Sequence, residues 1–302
     1  MNRLMILAAG MAVFTAAHAA ETSAAYDLAL VDMQGMKKVL GSLPGAAAPR
    51  VSPNGKRVAF EQPDSTGVLG PQSLIIHVAE LDKLDKRKPL QPTLTTIRNS
   101  NPVWSHDSDW VAFVATGNGS DSIFRELADG SIQPKYIVDG KAPEGMYAGG
   151  LLTFLTLKGD KDYGVALFDM NTRKTTRFDQ VGSAQYSSAL SRDGQWLALT
   201  SDETGRPELW LQSVTQPVKR VQLTRQGGAH PVWSPDGSQL YYDQGGKLFR
   251  IDVKLDAEAP RAAGEPVALP ISGFLQGTIQ RQFDLTPDGK GFVMLFPAKG
   301  TQ

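Results

Sequence analysis

The sequence predicts an all-β fold: a six-bladed β-propeller of four-stranded blades, closed by its own N-terminal strands. Three observations carry this expectation. A phrase recurs along the chain, each copy has the same strand-and-turn grammar, and the two chain ends hold complementary fragments. The phrase reads APRVSPNGKRVAF at 48–60, NPVWSHDSDWVAFV at 101–114 and SSALSRDGQWLAL at 187–199. It returns as HPVWSPDGSQLYY at 230–242 and QFDLTPDGKGFVML at 282–295.

Aligned on Ser52, Ser105, Ser191, Ser234 and Thr286, the copies are 53, 86, 43 and 52 residues apart. Repeats with periods of roughly 20–50 residues build solenoids or propellers. The long step is twice the short one, which places a degenerate copy at LLTFLTLKGDKDYGVALFDMNTRKTTRF, 151–178. It has lost the Ser-x-Asp-Gly turn, and its anchor is expected near 146.

Within a copy the elements follow in order. A short strand such as HPVWS ends at a PDG turn. A second strand, QLYYD, ends at a QGG hairpin, and a third is KLFRIDV. The unit from 187 to 224 adds a fourth strand, KRVQLT. Short β-rich runs between Gly, Pro and Asp turns are strand signals. Ser and Asp side chains bond nearby backbone N–H groups, and Gly accepts positive φ. Radial repetition of four-stranded sheets is a propeller.

The last unit stops after two strands. YDLALVDMQG and MKKVLGSLPG, residues 26–45, match the third and fourth strands of a unit. That pair is expected to complete the last blade and remove an open sheet edge. Residues 20–302 are then a single propeller.

The first residues, MNRLMILAAGMAVFTAAHAA, read as a secretory signal peptide cut after Ala19: Arg3, an apolar run and an A-x-A site. The apolar run is shorter than the roughly 20 residues of a membrane span. The protein is therefore expected in the periplasm or secreted, as a monomer without a membrane span. The chain has no cysteine, which removes disulfides, thiolate zinc sites and thiol nucleophiles. Lys+Arg and Asp+Glu balance at 31 each, so charge gives no sign of a nucleic-acid partner. There is no G-x-S-x-G elbow, P-loop, dinucleotide fingerprint or H-E-x-x-H. GVLGPQS at 67–73 reads as a Gly/Pro hairpin tip.

The phrases PVWSPDGSQLYY, LTSDETGRPELWLQS and FDLTPDGKGFVML resemble the WD-type repeats of the TolB propeller family. The run from 198 to 296 also resembles extracytoplasmic propellers of bacterial Ser/Thr kinases. The resemblance implies a TolB-like propeller over 26–297, without the α/β domain that precedes it in TolB. It implies a protein-binding or scaffolding module with a protein partner in the cell envelope. The alternative is a channel-based small-ligand binder or enzyme, of lyase or lactonase type.

Most of the candidate residues have a structural role available. Asp107, Asp193, Asp236 and Asp288, with Asn54, are expected to cap their own turns. Trp104 and Trp233, with Val51, Leu190 and Leu285 at equivalent places, are expected to pack between blades. His106 replaces the turn proline at the surface, and His77 alternates with apolar neighbours as a strand side chain. Four places before each anchor stand Ala48, Asn101, Ser187, His230 and Gln282. Asn101, Ser187, His230 and Gln282 are the candidate ligand-binding residues, ringing a channel mouth. That set is polar and uncharged, so no metal, cofactor or catalytic residue is expected there. Arg281, Glu144 and Asp284 could approach the channel, but the repeat alignment does not place them. PEGMYAGG, 143–150, reads as the irregular part of the ring, where loops often carry binding.

Overall fold

Every copy of the phrase folds around the same turn. The first hydroxyl donates to the side chain two residues on: Ser52 to Asn54 (2.8 Å), Ser191 to Asp193, Ser234 to Asp236 and Thr286 to Asp288 (each 2.6 Å), and Ser105 to Asp107. The same hydroxyl accepts the N–H five residues on, at 2.9–3.1 Å, from Arg57, Trp110, Trp196, Gln239 or Gly291. The acidic residues are thus turn caps, and those bonds hold Asp107 and Asp288 below the usual carboxylate range and Asp236 at about 2. The fourth turn residue needs a left-handed backbone. Gly55, Gly194, Gly237 and Gly289 supply it, and Ser108 does so at φ 68°. Ser108 has a compensating contact: its Oγ accepts the Asn54 N–H of the preceding unit at 3.0 Å.

The computed structural model describes residues 25–65, 73–90, 98–117, 120–158, 162–216, 219–256 and 260–298. The expected leader and its cleavage point lie outside these residues, as does most of the 67–73 tip. Among the described residues no helix is long and apolar enough to cross a membrane.

The chain is all-β, built from antiparallel four-stranded groups. Unit 1 is Ala47–Val51, Arg57–Pro63, Leu74–Glu80 and Lys83–Pro89, in spatial as in chain order. Unit 2 spans Arg98–Asp139, unit 3 Ala142–Arg177 and unit 4 Gln185–Gln222 in the same way. A parallel bridge, Leu74 to Arg98, joins units 1 and 2. In unit 5, Ala229–Ser272, the outermost strand is split into Arg261–Ala262 and Val267–Ser272. Unit 6 pairs Phe283–Leu285 with Gly291–Pro297, and the N-terminal strands complete it. Ala25–Asp32 lies against Gly291–Pro297 from Tyr26–Pro297 to Asp32–Gly291, with Lys37–Pro44 on its far side.

Burial follows position within a unit. The second strands are covered on both faces, as Trp196–Ser201 shows, whereas the outer strand Lys174–Arg177 is exposed throughout. Six apolar clusters fill the spaces between units, each drawing from two consecutive ones. Trp104 and Phe113 meet Ile76 and Val78 between units 1 and 2, and Leu28 and Val293 meet Val58 and Phe60 between units 6 and 1. Trp104 Nε1 donates to Arg50 O at 2.8 Å, and Trp233 Nε1 to Ala189 O at 3.0 Å, so both tryptophans join neighbouring units.

One expectation needs correction. Residues 142–147 are not an irregular loop but the first strand of unit 3, paired with Leu151–Leu155. The lost turn is replaced by Ala148–Gly150, where Gly149 and Gly150 take φ of 75° and 78°. The anchor is therefore Ala148, two places later than the expected 146.

Candidate functional site

The first strands of the units lie side by side, and each carries a bulge near its start. The pairing register slips between Ala47 and Arg50, Ser100 and Val103, Tyr186 and Ala189, and Ala229 and Val232. At each slip a non-glycine residue takes positive φ: Ala48 at 50°, Asn101 at 57°, Ser187 at 53° and His230 at 59°. Bulges re-aim side chains. Three of the four expected mouth residues, Asn101, Ser187 and His230, are therefore bulge residues, and their side chains leave the course that alternation along a plain strand would give.

His230 shows the result. It is buried, its Nδ1 is 2.7 Å from Asp243 Oδ1, and its N–H donates to Thr200 Oγ1 at 3.1 Å. Gln282 Oε1 accepts the Ala48 N–H at 2.8 Å, and the Ser187 N–H donates to Glu144. None of Asn101, Ser187, His230 and Gln282 is among the residues that line the central cavity.

That cavity, of about 580 Å³, is walled by the residues two places before each anchor: Arg50, Val103, Met146, Ala189, Val232 and Asp284. Above them Trp104, Tyr147, Leu190 and Trp233 form a partly apolar throat, and Pro53, His106 and Asp193 of the turns form the rim. Counting back two rather than four finds five wall positions in the sequence. Met146 escapes the count because unit 3 has lost its Ser-x-Asp-Gly anchor.

The floor is charged. Arg281 Nη2 donates to Asp284 Oδ1 at 2.8 Å, and Asp284 Oδ2 accepts the Val51 N–H at 2.9 Å. Arg50, only 8% exposed, donates from Nη1 to the carbonyls of Pro49 (2.8 Å) and Arg281 (2.9 Å). Burial, and then the like charge of Arg281, lower its pKa to about 9. Glu144 accepts from the Ser187 N–H, the Ser188 N–H (2.9 Å) and the Ser188 hydroxyl. Desolvation outweighs those bonds and pushes its carboxyl up to about 7. Glu144 is the bulge residue of unit 3, so the bulge set carries a charge the sequence could not register once the anchor had decayed. Gly145 leaves room for the Tyr147 ring, since a Cβ there would lie 2.2 Å from the Tyr147 hydroxyl oxygen. That hydroxyl accepts the Leu190 N–H of unit 4 at 2.9 Å.

A segment of this chain closes the cavity at the end away from the turns. Leu275 N–H donates to Leu295 O in unit 6, Gln280 Nε2 donates to Glu61 in unit 1, and Ile279 packs against the cluster of units 3 and 4. Reaching all three takes residues 275–282 across the centre. The result is a blind funnel, open at the turns and floored by Arg50, Glu144, Arg281 and Asp284.

Among the described residues no group of three or more His, Asp or Glu side chains could hold a metal ion.

Solved structures share this architecture. A provisionally named TolB from Agrobacterium tumefaciens matches over 91% of this chain and 100% of its own, with a TM-score of 0.67 and 17% identity. This is a TolB-like propeller fold. TolB from Acinetobacter baumannii matches the propeller over 92% of this chain and 65% of its own, with a TM-score of 0.57 and 17% identity. An oligogalacturonate lyase in complex with manganese matches over 90% and 83%, with a TM-score of 0.58 and 12% identity. At these identities the likeness is one of fold, and this fold carries both TolB and lyase functions. No family model matches the sequence, and no curated protein matches it.

Proposed function

We propose that the protein is an exported, monomeric six-bladed propeller that binds a protein partner of the cell envelope through the turn face. The blind funnel is the observation that carries this reading. The central funnel offers an apolar throat of Trp104, Tyr147 and Trp233 above a charged floor, where a partner's projecting segment would seat. Bonds between turns of neighbouring units, Asn54 N–H to Ser108 Oγ at 3.0 Å and Arg192 Nη1 to the Pro235 carbonyl at 3.4 Å, help to hold the rim. A preorganised surface loses little entropy on binding. The fold shared with TolB supports the same reading.

The test is a photocrosslinking amino acid at Arg192, on the rim, with the same group at the exposed Val181 as control. The expected result is one envelope protein captured from Arg192, none from Val181, and loss of capture when Val232→Arg fills the funnel. Equal capture from both positions would overturn the reading. An Asn101→Ala, His230→Ala double variant tests a direct ligand role for the bulge residues: such a role would weaken capture by protein that is still folded, whereas loss of the buried His230–Asp243 contact alone would lower the melting temperature and leave capture intact.

The charged floor favours a second reading, a small-ligand binder or an enzyme of lyase or lactonase type. A thermal-shift screen of sugar acids, lactones and divalent cations addresses it. Stabilisation by one of these compounds, with no protein captured at Arg192, would favour it over the first.

A further inference from the structure

Arg50 stands out among the buried charges of the ring. It is 8% exposed, lines the funnel, and forms no ion pair among the described residues. Its Nε is buried without a hydrogen-bond partner, and both of its hydrogen bonds leave from Nη1 to backbone carbonyls. The carboxylate beside it is already engaged: Asp284 takes the Arg281 guanidinium on one oxygen and the Val51 N–H on the other. Glu144 is held by three donors from Ser187 and Ser188. A guanidinium in this state retains unused donors, and a buried unpaired charge is costly. Its neighbours on the wall, Val103, Met146, Ala189 and Val232, are apolar.

We infer that the funnel floor is a carboxylate-binding site, with Arg50 as the principal ligand and an apolar body of the guest lying against Val103, Met146 and Val232. The planar fork of arginine matches the two oxygens of a carboxylate, and Nη2, which makes no hydrogen bond among the described residues and is not enclosed as Nε is, is the donor left for the guest. Arg281 is paired with Asp284, so the uncompensated positive charge at the floor is that of Arg50. The apolar wall selects an organic acid over a fully hydrated inorganic anion, because burying the body of the guest supplies part of the affinity. The carboxylate can come from a free acid or from the C-terminus of a polypeptide, and the two share this chemistry. The site does not require the protein-binding reading to hold.

The test is calorimetric titration of the purified protein with four probes: acetyl-Ala-Ala-Leu as the free acid, the same peptide as its amide, 4-phenylbutyrate and inorganic phosphate. The free-acid peptide is expected to bind at least about tenfold tighter than the amide, and phosphate to compete weakly. Arg50→Gln is expected to erase the acid preference. Should Arg50→Gln fail to fold, Val103→Asp decides the matter. It places a carboxylate at the wall position of the adjacent unit, and should abolish acid binding in protein that still unfolds cooperatively, at some cost in melting temperature because Val103 also packs in the apolar cluster between units 2 and 3. Phenylbutyrate binding as tightly as the peptide acid assigns the site to free acids, and preference for the peptide assigns it to a chain terminus. Equal binding of acid and amide would overturn the carboxylate site while leaving partner capture at Arg192 intact. Acid binding that survives both variants, or phosphate binding as tightly as the acids, would also overturn it.

Discussion

At the residue scale, the protein turns on side chains whose environment overrides their ordinary chemistry. Glu144 is one. Its ordinary pKa of 4.5 rises to about 7 in the fold, chiefly by desolvation, although three hydrogen-bond donors and the nearby Arg281 and Arg50 favour the charged form. The folded state therefore holds a proton on Glu144 that the unfolded chain has released. The associated stability is fully present below about pH 4.5 and is lost as pH rises through about 7. Glu144→Gln removes this dependence. The melting temperature of the variant relative to the parent should rise between about pH 5 and about pH 8. A difference independent of pH would refute the assignment. Trp104 is the other case. Replacing it with Phe leaves the buried Arg50 carbonyl without its indole donor and thins the core between units 1 and 2. Urea unfolding should show a loss of about 1–2 kcal/mol.

At the element scale, the bulge is the device that builds the funnel. Four of the first strands hold a non-glycine residue at positive φ, a conformation that costs a residue with a Cβ about 1 kcal/mol or more. The recurrence of the strain in equivalent strands marks it as part of the geometry. Asn101, at φ 57°, suits the position because Asn tolerates the left-handed region. Asn101→Val should cost about 1–2 kcal/mol through its branched Cβ, whereas Asn101→Gly should be neutral or stabilising. Equal destabilisation by both would mean that the Asn side chain, not its backbone, matters there. The turns are legible for the same local reason. Ser, Asp and Gly in fixed order satisfy each other within six residues, so their role could be read without the fold.

At the scale of the whole molecule, the N-terminal strands determine integrity. Ala25–Asp32 pairs along the full length of Gly291–Pro297, whose residues 291–296 are buried. Deleting residues 20–45 removes both strands and uncovers an apolar edge. Size-exclusion chromatography of that truncation should show aggregates, and a soluble protein that still unfolds cooperatively would contradict the assignment. The same closure brings residues far apart in sequence into the funnel floor. Arg50 bonds Arg281, and Ala48 bonds Gln282, across 231 and 234 positions.

The sequence by itself determined the repeat, the turn caps, the inter-unit tryptophans and the pairing of the two chain ends. Each of these depends on local hydrogen bonding or on strand patterns that recur in register. The direction of side chains in the first strands was decided only by the tertiary structure. A bulge adds a residue and breaks the two-residue alternation, so Asn101, Ser187 and His230 sit at the slips while the wall lies two positions on. The place of Glu144 was hidden because unit 3 lost the turn that would have set its register. The closing of one end by residues 275–282, and the unpaired charge of Arg50, come from contacts between distant units, and no local pattern encodes them.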